Sequence, residues 1–93
     1  MEIWKFKLMI TDEQLVKMPS KSEIMDIQMQ ENSPVMWALC DPDTEDIDVQ
    51  INMYGTGFDV HNSDIEHEYL ATVQSGAMVW HFFMVSEQLT DND

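Results

Sequence analysis

Apolar residues recur at every second position in separate stretches of this chain, and each stretch ends in turn-forming residues. A period of two is the signature of a strand with one buried face, so the pattern commits most of the chain to β-structure. Trp4, Phe6, Leu8 and Ile10 alternate with Ile3, Lys5, Lys7 and Met9; Met25, Ile27 and Met29 alternate with Asp26, Gln28 and Gln30. Ile47, Val49, Ile51 and Met53 alternate with Asp48, Gln50, Asn52 and Tyr54, the cleanest half-exposed strand of the set. Val35 to Cys40 is apolar at both parities, as expected of a central strand covered on both sides.

Tyr69 to Val85 reads as a hairpin closing at Ser75-Gly76, the glycine supplying the positive φ such turns need. That register sets Val73 against Met78, Ala71 against Trp80 and Tyr69 against Phe82 on a core face. The other face carries Leu70, Thr72 and Gln74 opposite Ala77, Val79, His81 and Phe83. Thr11 to Gln14 fits a helix-capping box, but Pro19 follows too soon for a stable helix, so a turn and a short strand from Gln14 to Met18 are expected. Glu31-Asn32-Ser33-Pro34 breaks the chain between two hairpin strands, and Gly55-Thr56-Gly57 ends the strand before it. The expected fold is all-β: a small antiparallel β-sandwich or barrel of six to seven strands, closed by the 69–85 hairpin. Residues 1–86 are expected to form one β domain, and 87–93 a polar, frayed tail.

Charge is the most unusual quantity. Eighteen acidic residues stand against four lysines and no arginine, for a net charge of −14. All four lysines, Lys5, Lys7, Lys17 and Lys21, precede residue 22, and residues 22–93 hold fifteen acids with no lysine or arginine. Such a surface repels nucleic acid and anionic lipid, so neither direct nucleic-acid binding nor membrane association is expected. The single cysteine, Cys40, forms no internal disulfide, and the alternating N-terminus does not read as a signal peptide or a membrane span. A cytoplasmic protein is expected.

No constellation specifies a reaction. Asp41-Pro42-Asp43-Thr44-Glu45-Asp46-Ile47-Asp48 offers oxygen ligands at alternate positions, yet Asp46 stands where a calcium-binding EF-hand loop needs glycine and Asn52 where it needs a bidentate glutamate. His61 and His67, six apart around Asp64, do not match the i, i+4 spacing of a zinc helix. Cys40 sits beside Asp41 and Asp43, the wrong neighbours for a thiolate nucleophile. Gly55-Thr56-Gly57 lacks the third glycine and the helix of a phosphate loop. No catalytic residue, metal or cofactor is therefore expected.

Ile3-Trp4-Lys5-Phe6, Met36-Trp37-Ala38-Leu39-Cys40-Asp41-Pro42, Tyr54-Gly55-Thr56-Gly57 and Val79-Trp80-His81-Phe82, with Thr11 to Gln14 leading to Met18-Pro19, form a further pattern. In that order and spacing they resemble a family of small proteins of unknown function found in phage genomes and in bacteria. The resemblance spans about residues 3 to 83, and it departs from the family at Phe58, where the family tends to place histidine. It implies an accessory factor that acts on host machinery in the host cytoplasm.

Charge and resemblance together lead to one expectation: a non-enzymatic, acidic binding protein of phage type. Its target is expected to be a host defence or nucleic-acid-handling protein with a basic groove, engaged through a surface that mimics nucleic acid. Asp41, Asp43, Glu45, Asp46, Asp48, Asp64, Glu66 and Glu68 are the candidate acidic residues, with Phe83 as a candidate apolar contact. A structural or morphogenesis accessory of a phage particle and a small-ligand-binding oligomer are the alternatives. The apolar second faces, including Ile3, Met9, Met36, Cys40, Val79 and Phe83, and the nine methionines suit a homodimer.

Overall fold

A computed structural model describes residues 1–60 and 67–85. It contains seven strands: β1 (Glu2–Lys7), β2 (Glu13–Pro19), β3 (Ser22–Gln30), β4 (Ser33–Cys40), β5 (Asp46–Gly55), β6 (Glu68–Ser75) and β7 (Met78–Val85). They form two antiparallel sheets, β1-β4-β3 and β2-β5-β7-β6, which remain separate rather than closing into a barrel. The sandwich reading of the sequence is the one realised. Along one side of the sandwich β3 lies against β6. No helix among the described residues is long and apolar enough to cross a membrane.

The core lies between the sheets and follows from strand alternation. Met36, Ala38 and Cys40 of the central strand β4 are fully buried, as are Ile51 of β5 and Phe82 of β7. Trp4, Phe6, Val16, Ile24 and Trp80 pack around them. The opposite parity of β4 is only partly covered: Val35 is buried, but Trp37 and Leu39 are half-buried. On this outer face three rows cross the sheet. Leu39 has Ile3 on one side and Glu23 on the other; Trp37 has Lys5 and Asp26; Val35 has Lys7 and Gln28.

Three features depart from the expected alternation, and each has a local cause. Met25 was expected to point inward with Ile27 and Met29 but is 55% exposed, because a β-bulge between Ile24 and Asp26 adds a residue to β3. Asp26 stabilises the bulge by accepting hydrogen bonds from the Ile27 amide and the Gln28 side chain, both at 2.8 Å. Tyr69, expected opposite Phe82 in the core, is likewise 55% exposed and lies beside Phe83, because a second bulge at Leu70 reverses the faces. Strand β1 ends at Lys7, so Leu8 is buried but Ile10 is not. Gln14 holds the following segment: its side-chain amide accepts from Met9 N at 3.0 Å and donates to Met9 O at 2.9 Å.

The closing hairpin turns at Gly76-Ala77 rather than Ser75-Gly76. Ser75 pairs with Met78, Val73 with Trp80 and Ala71 with Phe82, a shift of two residues that keeps the core face but changes every partner. Gly76 has φ +60°, which places the glycine first in the loop, as a type II′ turn requires. The β3–β4 hairpin is also tighter than expected, with only Glu31 and Asn32 between paired residues, and Glu31 there takes φ 60°. Gly76→Ala is expected to lower stability by about 1–2 kcal/mol, the cost of a Cβ in left-handed backbone. Open space surrounds the position, so strain alone sets the effect. Urea unfolding of the variant measures it.

Candidate functional site

The acidic residues between β4 and β5 are held by turn chemistry. Asp41 O accepts from Thr44 N at 3.2 Å and from Thr44 Oγ1 at 2.8 Å, while Asp41 Oδ1 accepts from Asp43 N at 3.1 Å. The β2–β3 turn fastens this loop from the side. Ser20 N donates to Glu45 O at 2.7 Å, Lys21 N donates to Thr44 Oγ1 at 3.2 Å, and Lys21 O accepts from Asp41 N at 2.9 Å.

The predicted acidic residues divide accordingly. Asp41 is half-buried and serves the turn. Asp48 is exposed on the outer face of β5, where Lys17 lies opposite it and donates to its Oδ1 at 3.1 Å. Both side chains are well solvated, so this pair contributes at most about 1 kcal/mol. Asp43, Glu45 and Asp46 are exposed, and among the described residues no ion pair or hydrogen bond engages their carboxylates. Glu68, at the start of β6, lines a cleft of about 280 Å³ together with Met18, Ile24, Val49 and Met84. Asp64 and Glu66 lie outside the described residues.

Phe83 stands apart from the loop, further along the outer face of the four-stranded sheet. It is half-buried between two tyrosines, with ring centroids 6.0 Å from Tyr54 and 5.8 Å from Tyr69, both edge-on. Asn52, the partner of Phe83, lies four positions along β5 from Asp48, so about 13 Å of strand divides the two features.

Beside Phe83 the structure joins residues whose connection the sequence does not announce. His81 Nε2 is 2.8 Å from Thr56 Oγ1, and His81 Nδ1 is 2.9 Å from Thr72 Oγ1, which is in turn 2.7 Å from the Tyr69 hydroxyl. With Phe58 in place of histidine, the Gly-Thr-Gly turn gave no reason to expect contact with His81; the contact runs through Thr56 instead. The two-residue shift of the hairpin places Thr72 directly opposite His81. A neutral imidazole has one donor and one acceptor nitrogen, and hydroxyls can complement both, so the four side chains form one continuous chain of hydrogen bonds. It contains no carboxylate to orient a base, and its hydroxyls and ring nitrogens are already engaged with one another. Its evident effect is to clasp the turn after β5 to β6 and β7. A shallow depression of about 250 Å³ adjoins it, lined by Tyr54, Phe58, Val60, Tyr69, His81 and Phe83.

Cys40 is fully buried, its thiol 3.7 Å from the Ala38 carbonyl. Among the described residues no group of three or more His, Cys, Asp or Glu side chains is placed to hold a metal ion.

Comparison with curated proteins and with solved structures returns no match. A family model matches residues 1–92, nearly the whole chain. The chain therefore belongs to the family described as "Domain of unknown function (DUF7352)".

Proposed function

We propose that this protein is a non-enzymatic binding protein whose acidic β4–β5 end occupies a basic groove on a partner protein and displaces nucleic acid from it. The partner class is a host defence or nucleic-acid-handling protein, with the chain acting as a phage-type antagonist. The observation that carries this reading is the free set Asp43, Glu45 and Asp46, presented on a loop fastened at both ends. A prefastened loop loses little conformational freedom on docking, and its carboxylates, engaged by no ion pair among the described residues, are open to a cationic groove. Five acids between Asp41 and Asp48 outnumber Lys17 and Lys21, the two lysines beside them, so the field at this end is negative.

The test is capture of bacterial nucleic-acid-binding proteins on the immobilised chain, with duplex DNA as competitor. Captured proteins are expected to elute with DNA and with moderate salt. The triple variant Asp43→Asn, Glu45→Gln, Asp46→Asn is expected to lose at least about tenfold in affinity, while the Lys17–Asp48 pair and the fold are retained. Capture that is indifferent to DNA, or unchanged in the triple variant, rules the reading out. A second reading, small-ligand binding, rests on the depression beside His81 and Phe83, and a small molecule retained in native mass spectrometry would favour it.

A further inference from the structure

We propose that the outer face of the three-stranded sheet is the interface of a homodimer, with a twofold axis running along β4. This face leaves large apolar side chains in water: Ile3 is 60% exposed and Met25 is 55% exposed, beside the half-buried Trp37 and Leu39. The face also differs electrically from the rest of the molecule. Two of the four lysines, Lys5 and Lys7, rise from its β1 strand, Lys5 donating across the face to Gln30 Oε1 at 3.1 Å, while Glu23 and Asp26 rise from its β3 strand. The strand charges on this face cancel, although the chain as a whole carries −14. The outer face of the other sheet sets Glu13, Asp46 and Asp48 against Lys17 alone, so two copies meeting there would repel.

The arrangement is self-complementary for one axis only. A twofold interface brings the same patch from both copies together, so each group must face its complement within that patch. Rotation about a line along β4 lays β1 of one copy over β3 of the other. Lys5 then meets Asp26 in its own row and Glu23 in the next, and Trp37 meets its own counterpart near the axis. Rotation about a line across the strands would instead lay lysine over lysine and acid over acid. Charge therefore selects the axis, while the apolar centre supplies the attraction. Three strands spaced about 4.8 Å apart and eight residues long give a face of about 14 by 25 Å. Two such faces bury about 700 Å² together, at the weak and transient end of interfaces, so association is expected only at high protein concentration.

Sedimentation equilibrium over a concentration series tests the proposal, with three exposed-site variants. The unmodified chain is expected to show a monomer–dimer equilibrium. Lys5→Glu should weaken it by at least about tenfold, because the substitution places like charges together twice per dimer. Glu23→Lys alone should weaken it less, because Glu23 meets Lys5 only from the neighbouring row. The combination of Lys5→Glu with Glu23→Lys should recover part of the loss, since it restores opposite charges between the adjacent rows while Asp26 stays in the row of the new glutamate. A chain that stays monomeric throughout overturns the proposal. So does a dimer insensitive to Lys5→Glu, which is the result expected of the crosswise axis or of another surface, and so does failure of the double variant to recover.

Discussion

Raising NaCl from about 0.01 M to about 0.5 M is expected to raise the melting temperature by on the order of 15 °C, because it shortens the reach of like-charge repulsion. The folded chain has a radius of gyration of 13.6 Å and carries −14. Treated as a sphere of about 18 Å radius, it bears a charging energy of about 15 kcal/mol at the lower salt and about 5 kcal/mol at the higher. An unfolded chain of this length, with a radius of gyration of about 30 Å, bears about 5 and about 1 kcal/mol. Salt thus favours the compact state by up to about 6 kcal/mol, and even half of that moves a domain of this size by about 12–24 °C. The isolated Lys17–Asp48 pair, weakened by the same screening, is far too small to oppose the trend. Differential scanning calorimetry across the salt series measures the shift; a flat or falling melting temperature contradicts the argument.

Phe82→Ala is expected to destabilise the domain by about 3–5 kcal/mol. Phe82 is fully buried, with Met53 of β5 on one side and Ala71 of β6 on the other. It belongs to the cluster formed with Met36 and Ala38 of the facing sheet. Removing the ring takes away its transfer free energy and leaves a cavity that two hydrogen-bonded sheets cannot close. A domain of this length has a total stability of about 5–14 kcal/mol, so the loss is a large fraction of the whole. The melting temperature should fall by about 15–30 °C. Phe83→Ala, one residue away on the solvated aromatic face, should cost clearly less, and similar losses for both variants would contradict the assignment of faces.

The strands were legible because alternation is a local property of the chain. Ile47 to Met53 and the inward residues Ile27, Ala71, Val73 and Phe82 needed no tertiary knowledge. Bulges were not legible, because one extra residue leaves the composition of a strand unchanged while reversing the faces on one side of it; Met25 and Tyr69 were misplaced for this reason. The turn at Gly76 is not decided by local sequence, because a glycine can take positive φ at either loop position and the pairing partners decide which. The acidic loop could be read as a cluster, but not its internal division. Lys17 and Asp48 are 31 residues apart and meet only because β2 borders β5. The Thr56–His81–Thr72–Tyr69 chain depends on the hairpin register and on the bulge at Leu70 together.

Both bulges lie in edge strands, β3 of one sheet and β6 of the other. An edge strand presents unpaired backbone groups that can recruit a strand from another molecule, and a bulge bends and twists that edge so that a regular ladder cannot extend across it. The remaining edges are blunted chemically: β1 carries Lys5 and Lys7, and β2 carries Lys17 and ends in Pro19. The same irregularities that expose Met25 and Tyr69 therefore guard against fibril growth by strand addition. A chain whose strands run to ten residues and which holds nine methionines gains resistance to amyloid-like stacking from them.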